Sequence, residues 1–105
     1  MKVLVVEPGK QPKMQEIEST LTAMQMTVGG YIEAICPWWD EVALVCNEAG
    51  KMIGLPLNRP VFDDRGVLVD IIAGTFFICG APMDSDVFTD LPENLIAHYT
   101  RMFLL

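Results

Sequence analysis

Short β-branched runs, separated by turn residues, alternate along this chain with two stretches of helical spacing. Lys2 to Glu7 (KVLVVE) reads as a first strand, apolar enough on both faces to lie inside a sheet. Pro8-Gly9 ends it, and KQPKMQ reads as a polar loop. Ser19-Thr20 can cap a helix in which Leu21, Met24 and Val28 fall on one face. Gly29-Gly30 supplies the left-handed residue that closes it. Tyr31–Cys36 and Glu41–Asn47 read as strands. Asn47-Glu48-Ala49-Gly50 is turn chemistry, which predicts that Lys51–Leu55 returns as a hairpin partner. PLNRP reads as extended and irregular, because Pro56 and Pro60 have no ladder donor. Asp63-Asp64-Arg65-Gly66 marks another turn. Val67–Val69 and Ile71–Cys79 then give one or two strands, with Gly74 at a bend. Asp90, Pro92 and Glu93 form a helix start, followed by an apolar face of Leu95, Tyr99, Met102 and Phe103. The order β-α-β-β-β-β-α predicts an α+β fold with a mainly antiparallel sheet of about five strands and two helices.

Length fits that picture: 105 residues make one domain, 1–105. Surface scaling gives about 5,900 Å² exposed when folded out of roughly 17,000 Å² unfolded, enough burial for a core without disulfides or metal. Composition adds a tension. The chain is 51% hydrophobic, above what so small an interior accommodates, so an exposed apolar patch is expected. The formal charge of −7 and the lack of a Lys/Arg cluster argue against direct binding of nucleic acid or of an anionic membrane. The N-terminal apolar run is too short for a signal peptide, and no run reaches the roughly 18 residues of a membrane span. Cys36, Cys46 and Cys79 form no C-x-x-C pair and sit in apolar runs, which points to reduced thiols in the cytoplasm.

Candidate chemistry is sparse. Glu7-Pro8-Gly9-Lys10 follows a strand but lacks the phosphate-loop pattern. His98, the one histidine, has no ligand or base partner at a useful spacing and reads as a surface residue. The cysteines read as packed thiols, Cys36 least securely because it stands at a strand end. No cofactor or metal is implied. Glu33 interrupts an apolar strand, and Asn47, Asn58 and Arg59 fall around the turn and the segment after it. One reading makes these four residues a small ligand site, with Arg59 or Lys51 as an anion clamp. The other has the asparagines serving loop backbone and Glu33 paired on the surface. Trp38-Trp39 lie in an extended segment, where neighbours face opposite ways, so one tryptophan is expected to be exposed. An exposed tryptophan suits a protein interface.

The pieces VEPG, GGYIE, CNEAGK, LPLNR and IIAGTFFICG, in that order, resemble the bacterial family named domain of unknown function 3846, from Met1 to about Cys79. That resemblance implies a compact stand-alone module, often an accessory product of mobile elements in Gram-positive bacteria. It implies no activity and no catalytic residue. Glu7, Glu33, Asn58 and Arg59 fall on its motif, as do the glycines at 29, 30 and 50. Three functions follow as expectations: a non-catalytic protein-interaction module with a protein partner or a second copy of itself; an acidic nucleic-acid mimic that blocks a DNA-binding enzyme; or a small-ligand binder or enzyme using Glu33 and Arg59.

Overall fold

The computed structural model describes Met1–Leu105. Its centre is an antiparallel sheet of five strands, numbered here in chain order with the rest: β1 (Lys2–Val6), β2 (Lys13–Glu16), β3 (Ile32–Ile35), β4 (Val42–Asn47) and β7 (Phe76–Gly80). Their spatial order is β2-β1-β7-β4-β3, and every neighbouring pair is antiparallel. A second, two-stranded antiparallel sheet joins β5 (Leu57–Phe62) to β6 (Leu68–Ala73). The helices are α1 (Leu21–Val28) and α2 (Ile96–Met102), the latter entered through a 3₁₀ turn at Glu93–Leu95. The fold is α+β, with the mainly antiparallel sheet and two helices that the patterning predicts. The solvent-accessible surface is 6185 Å².

Side-chain alternation explains the layers. β1, β4 and β7 are buried almost throughout, so the sheet is apolar on both faces. Leu4, Val6, Val42, Leu44, Phe76 and Ile78 point to one face. There they meet Tyr99 and Phe103 from α2 and its C-terminal end, and Val61 and Ile72 from the hairpin. Val3, Val5, Ala43, Val45, Phe77 and Cys79 point to the other, covered by Val28 and Met24 of α1 and by Phe88. Burying side chains on both faces stabilises the sheet by roughly 1.5–3 kcal/mol for each large apolar group removed from water.

Several local expectations change. The KQPKMQ segment contributes β2, whose residues are all exposed; a short polar edge strand carries no hydrophobic period to read. Lys51–Leu55 is not a strand. Both edges of β4 are already taken by β3 and β7, so the chain coils instead, with the Ile53 N–H donating to Ala49 O and the Leu55 N–H to Gly50 O. PLNRP, conversely, lies largely in β5. Pro60 sits opposite Ile71 in a two-stranded sheet with open outer edges, where a missing N–H leaves nothing unpaired. Thr20 caps α1 as expected, accepting the Ala23 N–H at 3.1 Å, and Gly29 closes it at φ 79°. Asp90 does not cap α2. Its carboxylate accepts the Lys2 N–H at 2.7 Å and ties the start of β1 to the segment after β7.

That segment returns along the end of β7. Gly80 and Thr89 exchange two hydrogen bonds, each 2.9 Å, and a Cβ on Gly80 would collide with the Thr89 side chain and the Asp90 carbonyl. Gly80→Ala is therefore expected to cost about 2–3 kcal/mol, as overpacking against backbone does. Urea unfolding measures it, and a loss below about 0.5 kcal/mol would contradict this packing.

Candidate functional site

The four residues Glu33, Asn47, Asn58 and Arg59 do not form one pocket; they divide into two places. Arg59, on β5, is 6% exposed and turns toward the end of α2. Its Nε and one terminal nitrogen donate to the Phe103 carbonyl at 3.1 and 2.9 Å. The same nitrogen donates to Lys10 O at 2.6 Å, and the other to Glu7 O at 3.2 Å and to Asn58 Oδ1 at 2.6 Å. All five guanidinium N–H groups are thereby used. Phe103 closes α2, so the charge also meets the negative end of that helix. No carboxylate bridges Arg59, and burial pulls its pKa below the ordinary value. Asn58 extends the staple, its Nδ2 donating to Val6 O and Gly74 O, both at 2.9 Å. The anion-clamp role is closed to Arg59, since no donor is left for a ligand.

Asn47 and Glu33 lie at the other side of the hairpin. Asn47 is buried at the end of β4; its Nδ2 donates to Val28 O at 3.3 Å and its Oδ1 accepts the Ala49 N–H at 2.9 Å. It joins the end of α1 to the turn after β4. Glu33 stands exposed on β3 opposite Cys46. With Lys51 and Asp70 it rims a recess of about 270 Å³, floored by Cys46 and walled by Ile71 and Ile72. Lys51 donates to the Asp70 carboxylate, which holds that carboxyl below the usual range. Lys51 is thus held by a carboxylate and not set as an anion clamp.

Two of the three thiols are buried and poor nucleophiles. Burial, followed by the Glu33 and Asp70 charges, pushes Cys46 up to about 11. Burial pushes Cys79 up to about 12. Cys36 alone is exposed, and His98 is exposed on α2 with its ring edge on Tyr99. No group of three or more His, Cys, Asp or Glu side chains could hold a metal ion. Many acidic groups serve the fold: Glu7 bridges Lys10 and Lys13, Asp63 accepts two turn N–H groups, and Glu41 accepts the Met83 N–H. No helix is long and apolar enough to cross a membrane.

The tryptophans face opposite ways. Trp38 is buried, its ring 5.0 Å from Tyr99 and 6.3 Å from Phe103 between centroids, and its Nε1 donates to Phe62 O at 3.0 Å. Trp39 is 81% exposed, with its backbone N–H held by Asp64 at 2.6 Å. Both therefore fasten the hairpin tip to the main sheet, and Trp39 stands beside that tip in solvent.

The family model described as domain of unknown function (DUF3846) matches residues 1–104. The chain belongs to this family. No curated protein and no solved structure matches it. For this DUF3846 member, then, the surface itself carries the functional argument. Its most distinctive feature was missed in the sequence. β5 and β6 carry apolar groups on both faces, with Arg59, Val61 and Ile72 turned inward, and Pro60, Phe62, Leu68 and Ile71 turned out. The signal was present in PLNRPVF and VLVDII, but Pro60 hid the strand that gives it meaning.

Two outcomes are expected. Arg59→Met should destabilise the protein by about 3 kcal/mol, because it strands the carbonyl of Phe103 and those of Glu7 and Lys10 in the β1–β2 connection; Arg59→Lys should recover only part, since an ammonium cannot span them. Chemical denaturation checks both, and an unchanged midpoint in Arg59→Met would refute the staple. A thiol reagent should modify one cysteine of the native protein, Cys36, and all three in denaturant; fast native labelling of Cys46 or Cys79 would contradict their burial.

Proposed function

We propose that this protein is a non-catalytic protein-interaction module whose contact surface is the outer face of the β5–β6 hairpin. One observation carries the reading: a two-stranded sheet apolar on both sides, with only one side covered. Leu57 is 67% exposed, Leu68 50% and Phe62 47%. Val69, Ile71 and Pro60 extend the same surface. A lone two-stranded sheet is marginal in water, yet this one is fixed by Arg59, Asn58 and Trp38. Rigid presentation of apolar groups lowers the ordering cost of binding. Chemistry is poorly served by comparison, with the guanidinium fully engaged and two thiols raised. As a cytoplasmic accessory product of a mobile element, such a module acts by what it holds.

The test is a photo-crosslinking amino acid in place of Leu68, introduced in the native host. A discrete adduct is expected from that position and none from the same group in place of Glu93, which is exposed elsewhere. No adduct from position 68, or equal adducts from both, would overturn the proposal.

A further inference from the structure

The outer face of the hairpin is not the whole of the apolar surface. Ile71 continues through the recess wall to Met52, which is 86% exposed. On the other side, Pro60 and Phe62 share a hollow with Met102 and Leu104. Weighted by their exposures, these residues present on the order of 900 Å² of accessible surface, more than the roughly 300–600 Å² of the largest patch on an ordinary monomer. About 800 Å² is what each partner contributes to a stable, specific interface.

We infer that a second copy of this chain covers that surface, the two hairpins packing face to face about a two-fold axis. The inference rests on the interaction reading above and names its partner. Area is the first argument: two such faces bury up to about 1,800 Å², within the standard size for a specific complex. Charge is the second. Each copy carries −7, so association must avoid opposing carboxylates; Asp70, which borders this face beside Leu57, Leu68 and Ile71, is paired with Lys51, and Asp63 lies toward the hairpin tip. The hairpin turn bears Asp63, Asp64 and Arg65. An axis crossing the strands keeps the two acidic tips apart, whereas an axis along them would juxtapose the tips. The third is what the edges refuse. Pro60 has no N–H on β5, and the Ile71 N–H on β6 is taken by the Asp70 carboxylate at 2.7 Å. Both strands are short of donors for an added strand, so the contact goes through side chains of the face. A two-fold pairing of one apolar patch with itself is the commonest closed assembly.

Mass in solution, by light scattering on a size-exclusion column, tests this. At high protein concentration the wild type should have twice the chain mass of 11.7 kDa. Leu68→Glu should have the single-chain mass with an unchanged circular dichroism spectrum. Met26→Ser, on α1 across the main sheet, should remain double. Ile71→Lys serves as a second variant should Leu68→Glu fail to fold. A wild type that stays single at every concentration overturns the second copy, as does a dimer that survives both hairpin variants. The interaction reading falls separately, on the crosslinking comparison of positions 68 and 93 described above.

Discussion

Arg59 joins β5, the end of α2 and the β1–β2 connection through a single side chain. One planar cation on β5 donates to carbonyls at the end of α2 and in the β1–β2 connection, and to its neighbour Asn58, which in turn grips β1 and the β6–β7 turn. Without it the two-stranded hairpin would keep Val61 and Ile72 in the core, the Asn58 bonds and the tip contacts of Trp38 and Trp39, but would lose its link to the end of α2. A buried guanidinium without a carboxylate is costly unless every donor is met. Here each is met by a carbonyl, two of the five bonds converging on Phe103 where α2 ends. The lysine substitution is unfavourable for the same reason: the geometry requires a fork.

The consequence is a layered molecule with one unfinished layer. The five-stranded sheet is covered by α1 on one face and by α2 with the hairpin on the other. The hairpin's own outer side has no cover. Each edge lacks a free donor at its middle: Pro60 on β5 has no N–H, and the Ile71 N–H on β6 is taken by the Asp70 carboxylate. This combination of blunted edges and an open face favours a partner that docks by shape and apolar contact over one that adds a strand. The recess beside Glu33 borders the same surface, with the Lys51–Asp70 pair between them.

Much of this was legible in the residues. β1, β4 and β7 stand out as β-branched or aromatic runs, and their burial on both faces follows from unbroken apolar sequence. Thr20 and Gly29 mark the ends of α1. The opposed tryptophans follow from extended-chain geometry, although only the fold assigns Trp38 to the core and Trp39 to solvent. Other features depended on neighbours that a sequence does not display. β2 is polar because it is an edge, and KMQE gives no period. Lys51–Leu55 has strand-like residues but no free edge to join. Pro60 reads as a breaker until its place at an outer edge is known. Glu33, which interrupts an apolar strand, and Arg59, which follows the next turn, read as one site because both fall on the family motif near one end of the sheet; the fold separates a buried staple from an exposed carboxylate.

Hydrogen exchange of the β5–β6 amides, followed at low and at high protein concentration, tests the central claim most directly. The claim is that a pinned hairpin presents a rigid face to a partner. The expected result is protection of 57–62 and 68–73 at both concentrations, with further slowing at the higher one while β1, β4 and β7 stay unchanged. Rapid exchange of the hairpin at every concentration would contradict it, because a mobile flap offers no fixed surface to bind.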